Sequence, residues 1–426
     1  MKQTVVASMI LTACLASGTN AVDTQSTAGL VAVTGVRLVD LGQKPGISNA
    51  VILIRNGRVV QSGPPAAVKV PEGARTVDLG GRFVLPGLIS AHVHMSTAVS
   101  VEAQLGVYAR YGITSVLSLG GEPAPAFHAR AAQATLPLTR SRLFLAGDII
   151  ASATPEAART DVARVAATRP DMIKIRVDDN LGTARKMPPD VFAAVIDEAH
   201  RHDLRVAAHV FYLDDAKALL RSGVDMIAHS VRDRAIDAEF IALMKARNIP
   251  YCPTLTRELS TFVYESTPAF FEDPFFLREA DPALVARLKE PARQQEMAKS
   301  QSAQAYKAAL LVAERNLKAA VDAGLLVIMG TDSGPFPERF QGYFEQVELT
   351  MMAAAGLTPA QVLRSATVDA ARAMKLPDIG TLAPGAWADF VVLDRNPLED
   401  VRHTRSIHSV WIAGGVVPPP ARRSPS

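Results

Sequence analysis

Between residues 29 and 84 the chain alternates short β-branched runs with turn residues: LVAVTGVRLVD, AVILIRNGRVVQSG and ARTVDLGGRFVLPG. This grammar predicts strands separated by tight turns. Asn56-Gly57, between apolar runs over 52–55 and 58–60, has the composition of a two-residue hairpin, because both central positions of that turn need positive φ. The same grammar returns near the other end in GTLAPGAWADFVVLD and IHSVWIAGGVV, with strands expected over 388–393 and 409–412. Together these segments predict one small discontinuous β-sandwich domain built from residues 29–84 and 377–416.

Between them, over 85–376, apolar runs recur with helix-length stretches in between. A first run over 86–93 is followed by GITSVLSL, RLFLAGDII, MIKIRV, RVAAHV, DMIAHS, IPYCPTL and LLVIMGTD. Each is short and mostly apolar, as expected of strands buried on both faces of a parallel sheet. Eight such repeats predict an α/β fold of the (β/α)8 type, a TIM-like barrel. Functional side chains of such a barrel sit at the C-terminal ends of its strands.

Those ends carry the candidate chemistry. The first run ends in His92-Val93-His94, and positions i and i+2 of a strand point the same way. The fourth carries Lys174, the fifth ends in His209, the sixth in His229 and the eighth in Asp332. Imidazole and carboxylate are the ligands of a borderline divalent ion such as Zn²⁺, and four His with one Asp exceed what one catalytic ion needs. An unpaired ammonium is costly in an apolar strand and cannot ligate. If CO₂ adds to the Lys174 amine, the resulting carbamate, N6-carboxylysine, offers two oxygens that can bridge two ions.

Composition and charge narrow the partners. The chain has 426 residues, 48% of them hydrophobic, enough for one large domain and a smaller one. A formal net charge of +3 leaves no basic field for a nucleic acid, so a small-molecule or dipeptide-like substrate is expected. Residues 1–21 have the pattern of a signal peptide: Lys2, an apolar stretch over 5–15 too short to span a bilayer, and Thr19-Asn20-Ala21 at a cleavage site. Leu11-Thr12-Ala13-Cys14 also resembles a lipobox, with cleavage before Cys14 and a lipid anchor on it. Export to the periplasm or beyond is expected on either reading. Removing the leader leaves Cys252 as the sole cysteine, so the mature chain forms no internal disulfide.

The hairpin-rich start, FVLPGLISAHVH, MIKI, VAAH, GVDMIAHS, GTDSG and GLTPAQVLRSATVDAARAMKLPDIGTLAPGAWADFVVLD together resemble the amidohydrolase superfamily, in its binuclear type with prolidase-like and imidazolonepropionase-like relatives. The resemblance implies that His92, His94 and Asp332 hold one of two divalent ions, expected to be Zn²⁺, that His209 and His229 hold the other, and that carboxylated Lys174 bridges them. It implies hydrolysis of a C–N bond of the amide or peptide type by a hydroxide shared between the ions. His229 would aid polarisation of the scissile carbonyl, and Asp332 would carry the proton to the leaving group. Lactone or phosphoester hydrolysis would use the same ions. Deamination by a mononuclear relative is a further alternative, although such enzymes lack the lysine ligand and place a Glu shortly after the fifth-strand His, where HVFYLDD has none.

Departures from the relatives concern the substrate. Ser90 stands where many have Asp, Leu117-Ser118 where prolidase-like relatives have Arg-Asp, and the third-run loop lacks an extra His. Tyr212, Thr254 and Arg257 are candidate substrate contacts at the ends of the fifth and seventh runs. Arg257 suits a substrate carboxylate or a surface ion pair. Glu348 is expected to support the ligands or the packing from the helix after Asp332, whereas His128, His200 and His202 read as solvated surface. The segment 260–302 is longer than an ordinary loop, and its Phe270, Phe271, Phe275 and Phe276 are expected either to cap the site or to make a subunit contact in a homo-oligomer.

Overall fold

The computed structural model describes residues 29–39, 41, 46–95, 97 and 99–420. The expected leader, with its alternative processing at Ala21 or Cys14, lies outside the described residues. The chain opens with β1 (Val31–Leu38), β2 (Ile47–Arg55), β3 (Arg58–Gly63), β4 (Arg75–Asp78) and β5 (Phe83–Pro86). It continues through β6 (Leu88–Val93), β7 (Ile113–Ser118), β8 (Arg142–Leu145), β9 (Ile149–Ile150), β10 (Ile173–Val177), β11 (Val206–Val210), β12 (Met226–Ala228) and β13 (Tyr251–Cys252). It closes with β14 (Phe390–Leu393), β15 (Ile407–Ile412) and β16 (Gly415–Val416).

Both chain ends meet in one eight-stranded sheet of order β16-β15-β14-β5-β1-β2-β3, with β4 paired to β1. The Asn56-Gly57 hairpin forms as expected, with φ of 51° and 76°, and closes the β2–β3 ladder at Arg55 and Arg58. Side chains alternate across this sheet: Ala50, Ile52 and Ile54 join one apolar cluster, Val51 and Leu53 another. Cover on both faces explains why β2 is apolar from Ala50 to Ile54. The ladders draw one mixed sheet, and the sandwich expected of these segments is not shown by them.

The central runs form parallel sheets of three strands, β6-β7-β8, and five, β13-β12-β11-β10-β9. They do not close as one continuous ladder. The third run breaks into β8 and β9 at Gly147, whose N–H donates to Glu122 instead of a neighbouring strand. The eighth run, 325–332, has no ladder of its own. It spans the gap by parallel bridges from Val327 to Tyr251 and from Ser333 to Val93, with the Ala91 N–H donating to the Met329 carbonyl at 2.8 Å. Gly330 permits this approach, since a Cβ there would lie 2.5 Å from Cys252 Sγ and 2.8 Å from the His92 backbone.

Helices cover these sheets with apolar stripes. The helix Pro189–Arg201 starts with Pro at its first turn and buries Val191, Phe192, Val195, Ile196 and Ala199, an i, i+3, i+4 pattern that faces the strands. The segment 260–302 folds into short helices whose aromatic side chains turn inward. Phe271 and Phe276 are buried with Tyr111, Tyr264, Phe340, Tyr343 and Phe344, and Phe270 and Phe275 pack against them. These rings form an internal cluster, so neither the cap nor the subunit contact expected of them is where their surface goes.

Candidate active site

Six residues lie close together, five of them at or just beyond the C-terminal ends of the apolar runs and Lys174 within β10. His92, on β6, is fully buried, and its Nε2 lies 3.3 Å from Asp332 Oδ1 and 3.4 Å from Lys174 Nζ. His94 donates from Nδ1 to the Gly120 carbonyl at 3.0 Å, which turns Nε2 toward Asp332 Oδ1, also at 3.0 Å. The His229 ring stands 4.5 Å from that of His92 and 4.1 Å from that of His209. Asp332 and His229 both have left-handed backbones, with φ of 61° and 77°. Such positions are strained for side chains with a Cβ and persist where the surroundings hold them.

Burial sets the protonation of the site. Removal from water pushes the His92 pKa down to about 3, with Lys174 adding to the effect, and holds His209 and His229 well below the ordinary imidazole range. The neutral imidazoles that result are the form that binds metal. Burial also pushes Lys174 down to about 8. Burial opposes ionisation of Asp332, but Arg339 and then His92 and His94 outweigh it and hold the carboxyl well below its usual range.

These shifts make stability depend on pH. The unfolded His92 takes up a proton near 6.5, the folded one only near 3, so between these values the unfolded chain binds more protons. Stability of the metal-free protein is therefore expected to fall as pH drops through that window, seen as a lower urea midpoint at about pH 5 than at about pH 7. Equal midpoints would contradict the buried neutral imidazole.

One oxygen or nitrogen each from His92, His229 and Asp332 lies within 4.8 Å of the others, a spacing one ion can span. His229 supplies the test of fit. Its Nδ1 is engaged by Thr254 Oγ1 at 2.7 Å, while Nε2 is buried with no hydrogen-bond partner among the described residues. A buried lone pair without a donor is costly, and a divalent ion among these ligands relieves it. His209 donates from Nε2 to Asp178 Oδ2 at 2.8 Å.

The substrate candidates fare differently. Thr254 engages His229 at 2.7 Å and so positions that imidazole. Tyr212 is half-buried and donates to Asp179 at 2.8 Å. Arg257 is buried against Glu258 and Tyr306, which excludes the surface ion pair. His128, His200 and His202 are exposed, as expected.

Three buried glutamates clamp the turns that carry the ligands. Glu122 accepts from the N–H groups of Gly120 and Gly147, and Gly120 in turn receives His94. Glu345 accepts from Thr331 and Ser333, on either side of Asp332, and from Ser90. Glu348 accepts from the N–H groups of Leu255 and Thr256 and from the Thr256 hydroxyl, fixing the turn after Thr254. Sequence reasoning singled out Glu348 alone. Glu345 lies one helical turn before it, and that spacing was the available signal. Asp178 and Arg339, the partners of His209 and Asp332, were also missed. Asp178 follows Lys174 by four residues and so shares its strand face, whereas Arg339 sits in a loop without periodicity.

The family model described as the amidohydrolase family matches residues 83–417. Among curated proteins, the chain is similar to an ochratoxinase from Aspergillus niger, 27% identical over 246 residues that make up 56% of this chain and 42% of the relative. The chain thus matches less than half the length of that protein. An adenine deaminase from Methanoculleus marisnigri is 26% identical over 87% of this chain and 61% of its own. Among solved structures, a putative prolidase from Bifidobacterium longum superposes with a TM-score of 0.76 over 93% of this chain and 96% of that one, at 24% identity.

Proposed function

The chain belongs to the amidohydrolase family, and from that premise we propose that it is a metal-dependent hydrolase that cleaves a C–N bond of the amide or peptide type in a small or dipeptide-like substrate. The observation that carries this reading is the clustering of His92, His229 and Asp332, with His94, Lys174 and His209 against them and His229 Nε2 unpartnered among the described residues. We read the eight central runs as the staves of a (β/α)8 barrel that holds these residues at its mouth.

His92, His94 and Asp332 would hold one divalent ion and His209 and His229 a second. Lys174 would join them after its neutral amine adds to CO₂, forming an N–C bond and releasing one proton. Two such ions, when bound, supply Lewis acidity and lower the pKa of water. The remaining work falls to side chains of this chain. Asp332, held ionised by Arg339, accepts the proton of the attacking water and returns it to the leaving nitrogen. Thr254 and Glu348 keep the His229 ring in place while it does so, and Gly120 does the same for His94.

A second reading, deamination, is favoured by the likeness to adenine deaminase over most of this chain. Against it stand the buried Lys174 at the centre of the cluster and the absence of Glu from the segment after His209. The zinc-loaded protein is expected to carry about two ions per chain and to release free amines from N-acyl amino acids or dipeptides. Fewer than about one ion, or ammonia release from aminopurines with no amide cleavage, would overturn the proposal.

A further inference from the structure

A cavity of about 580 Å³ lies between the helix Val101–Arg110, the segment 276–284 and the loop 334–341 that follows Asp332. That volume is in the range of pockets that enclose a small organic molecule. On the helix, Ala103, Gly106 and Val107 line it at i, i+3 and i+4 spacing, so one small-residue face leaves the space open. Phe276 and Phe340 line the opposite side. Val99 and Phe336 line it too, yet are 55% and 59% exposed, which leaves apolar surface facing water at the same place. None of the six clustered His, Lys and Asp residues lines this cavity.

Both cations of the wall already hold a carboxylate. Arg110 donates to both oxygens of Glu279, from Nη2 to Oε2 at 2.9 Å, and Arg339 is paired with Asp332. The acids are engaged as well. Glu102 accepts from Arg140 at 2.7 Å, and Asp281 accepts the Ala283 N–H at 3.0 Å as the cap of the helix Pro282–Leu288. A charged ligand would therefore lose its water without meeting a spare partner. An uncharged one meets ring surfaces and aliphatic groups.

We propose that this cavity is a second binding site, for an uncharged molecule of linked or fused aromatic rings, and that its occupant braces the loop 334–341 on Asp332 and His94. The preference for rings follows from Phe276, Phe336, Phe340 and Tyr343, which offer stacked and edge contacts from several directions. The brace follows from the bonds of the loop. Arg339 holds the Asp332 carboxylate and donates from Nε to Ser260 at 2.9 Å, and Gln341 donates to the His94 carbonyl at 3.1 Å. Gly334, with φ of 98°, sits so close to that carbonyl that a Cβ there would lie 2.0 Å from its oxygen. A molecule packed on Phe336 and Phe340 thus favours the loop arrangement in which Asp332 and His94 are held.

A matched pair of dyes tests the site. N-phenyl-1-naphthylamine and 1-anilinonaphthalene-8-sulfonate differ by a sulfonate, and both brighten on leaving water. For the zinc-loaded full chain, the neutral dye is expected to bind at about one per chain, with a Kd roughly tenfold or more below that of the sulfonate. Ala103→Trp fills the cavity from an exposed helix position and is expected to raise the neutral dye's Kd about tenfold or more, with the urea midpoint unchanged. Phe336→Ser, also at an exposed position, is expected to raise it about threefold. Equal affinity for the two dyes would overturn the proposal, and so would a Kd untouched by Ala103→Trp, which places the dye elsewhere. A dimer in sedimentation that the neutral dye breaks apart would make a second copy the occupant and overturn it too. The brace rests on the metal-dependent reading, whereas dye binding does not. Removing zinc with a chelator is expected to weaken the neutral dye about threefold, since the loop is then less firmly held. An unchanged Kd would overturn the brace, whereas a chain that takes up no zinc yet binds the dye supports the site and refutes the metal-dependent reading.

Discussion

Lys174→Ala is expected to lower kcat/KM for amide hydrolysis by about a thousandfold or more, near 4 kcal/mol of lost transition-state stabilisation, and to strip the protein of much of its metal. The expectation follows from position. Lys174 is 3% exposed, 3.4 Å from His92 Nε2, and has no carboxylate of its own within ion-pair distance among the described residues. A buried amine of that kind is a poor structural element, because burial disfavours its charge by more than Asp332 and Glu122 favour it. Its pKa, pushed down to about 8, leaves about a tenth of it uncharged at pH 7, the state that adds to CO₂. Adding a short carboxylic acid to Lys174→Ala is expected to recover part of the activity and of the metal. Unchanged turnover in the variant would refute the carbamate, and so would metal content equal to that of the wild type.

Arg142→Met should have the largest effect on stability, a loss of about 3–5 kcal/mol, the usual result of removing one partner from a buried ion pair. Arg142 lies on β8 and Asp389 just before β14, and each side chain is 2% exposed. The guanidinium donates to both carboxylate oxygens, at 2.6 and 3.2 Å, and stacks 3.9 Å from the centre of the Trp387 ring. Asp389 also accepts the Ala413 N–H at 2.7 Å. The pair thus ties the parallel strands to the sheet built from the chain ends. Denaturant unfolding measures the loss, and the double variant Arg142→Met with Asp389→Leu should recover most of it, since no charge is then left buried alone. A loss below about 1 kcal/mol in the single variant would show that solvent reaches Asp389.

The positions of the candidate ligands were legible because strand ends can be read from apolar periodicity. His92, His94, Lys174, His209, His229 and Asp332 all fall at or near the ends of such runs, and the structure brings them together. Substrate contacts were less legible. Arg257 looked as suited to the surface as to the interior, because nothing local announces that Glu258, its sequence neighbour, would be buried with it. The aromatic segment 260–302 was misread for a similar reason. Four phenylalanines in a long loop have the composition of a lid, and only their packing against Tyr111 and Tyr343 makes them core.

By itself, the sequence determined the parallel strands, the hairpin at Asn56-Gly57 and the order of His, Lys and Asp along the chain. These depend on periodicity and on φ preferences, which act over a few residues. Tertiary structure decided how the strands join, which turn each buried glutamate clamps, and that Arg232 and Arg257 share one carboxylate. Contacts of this kind link residues as far apart as Leu255 and Glu348. They depend on which polar groups are left to find each other once water is excluded, and no local pattern encodes that choice.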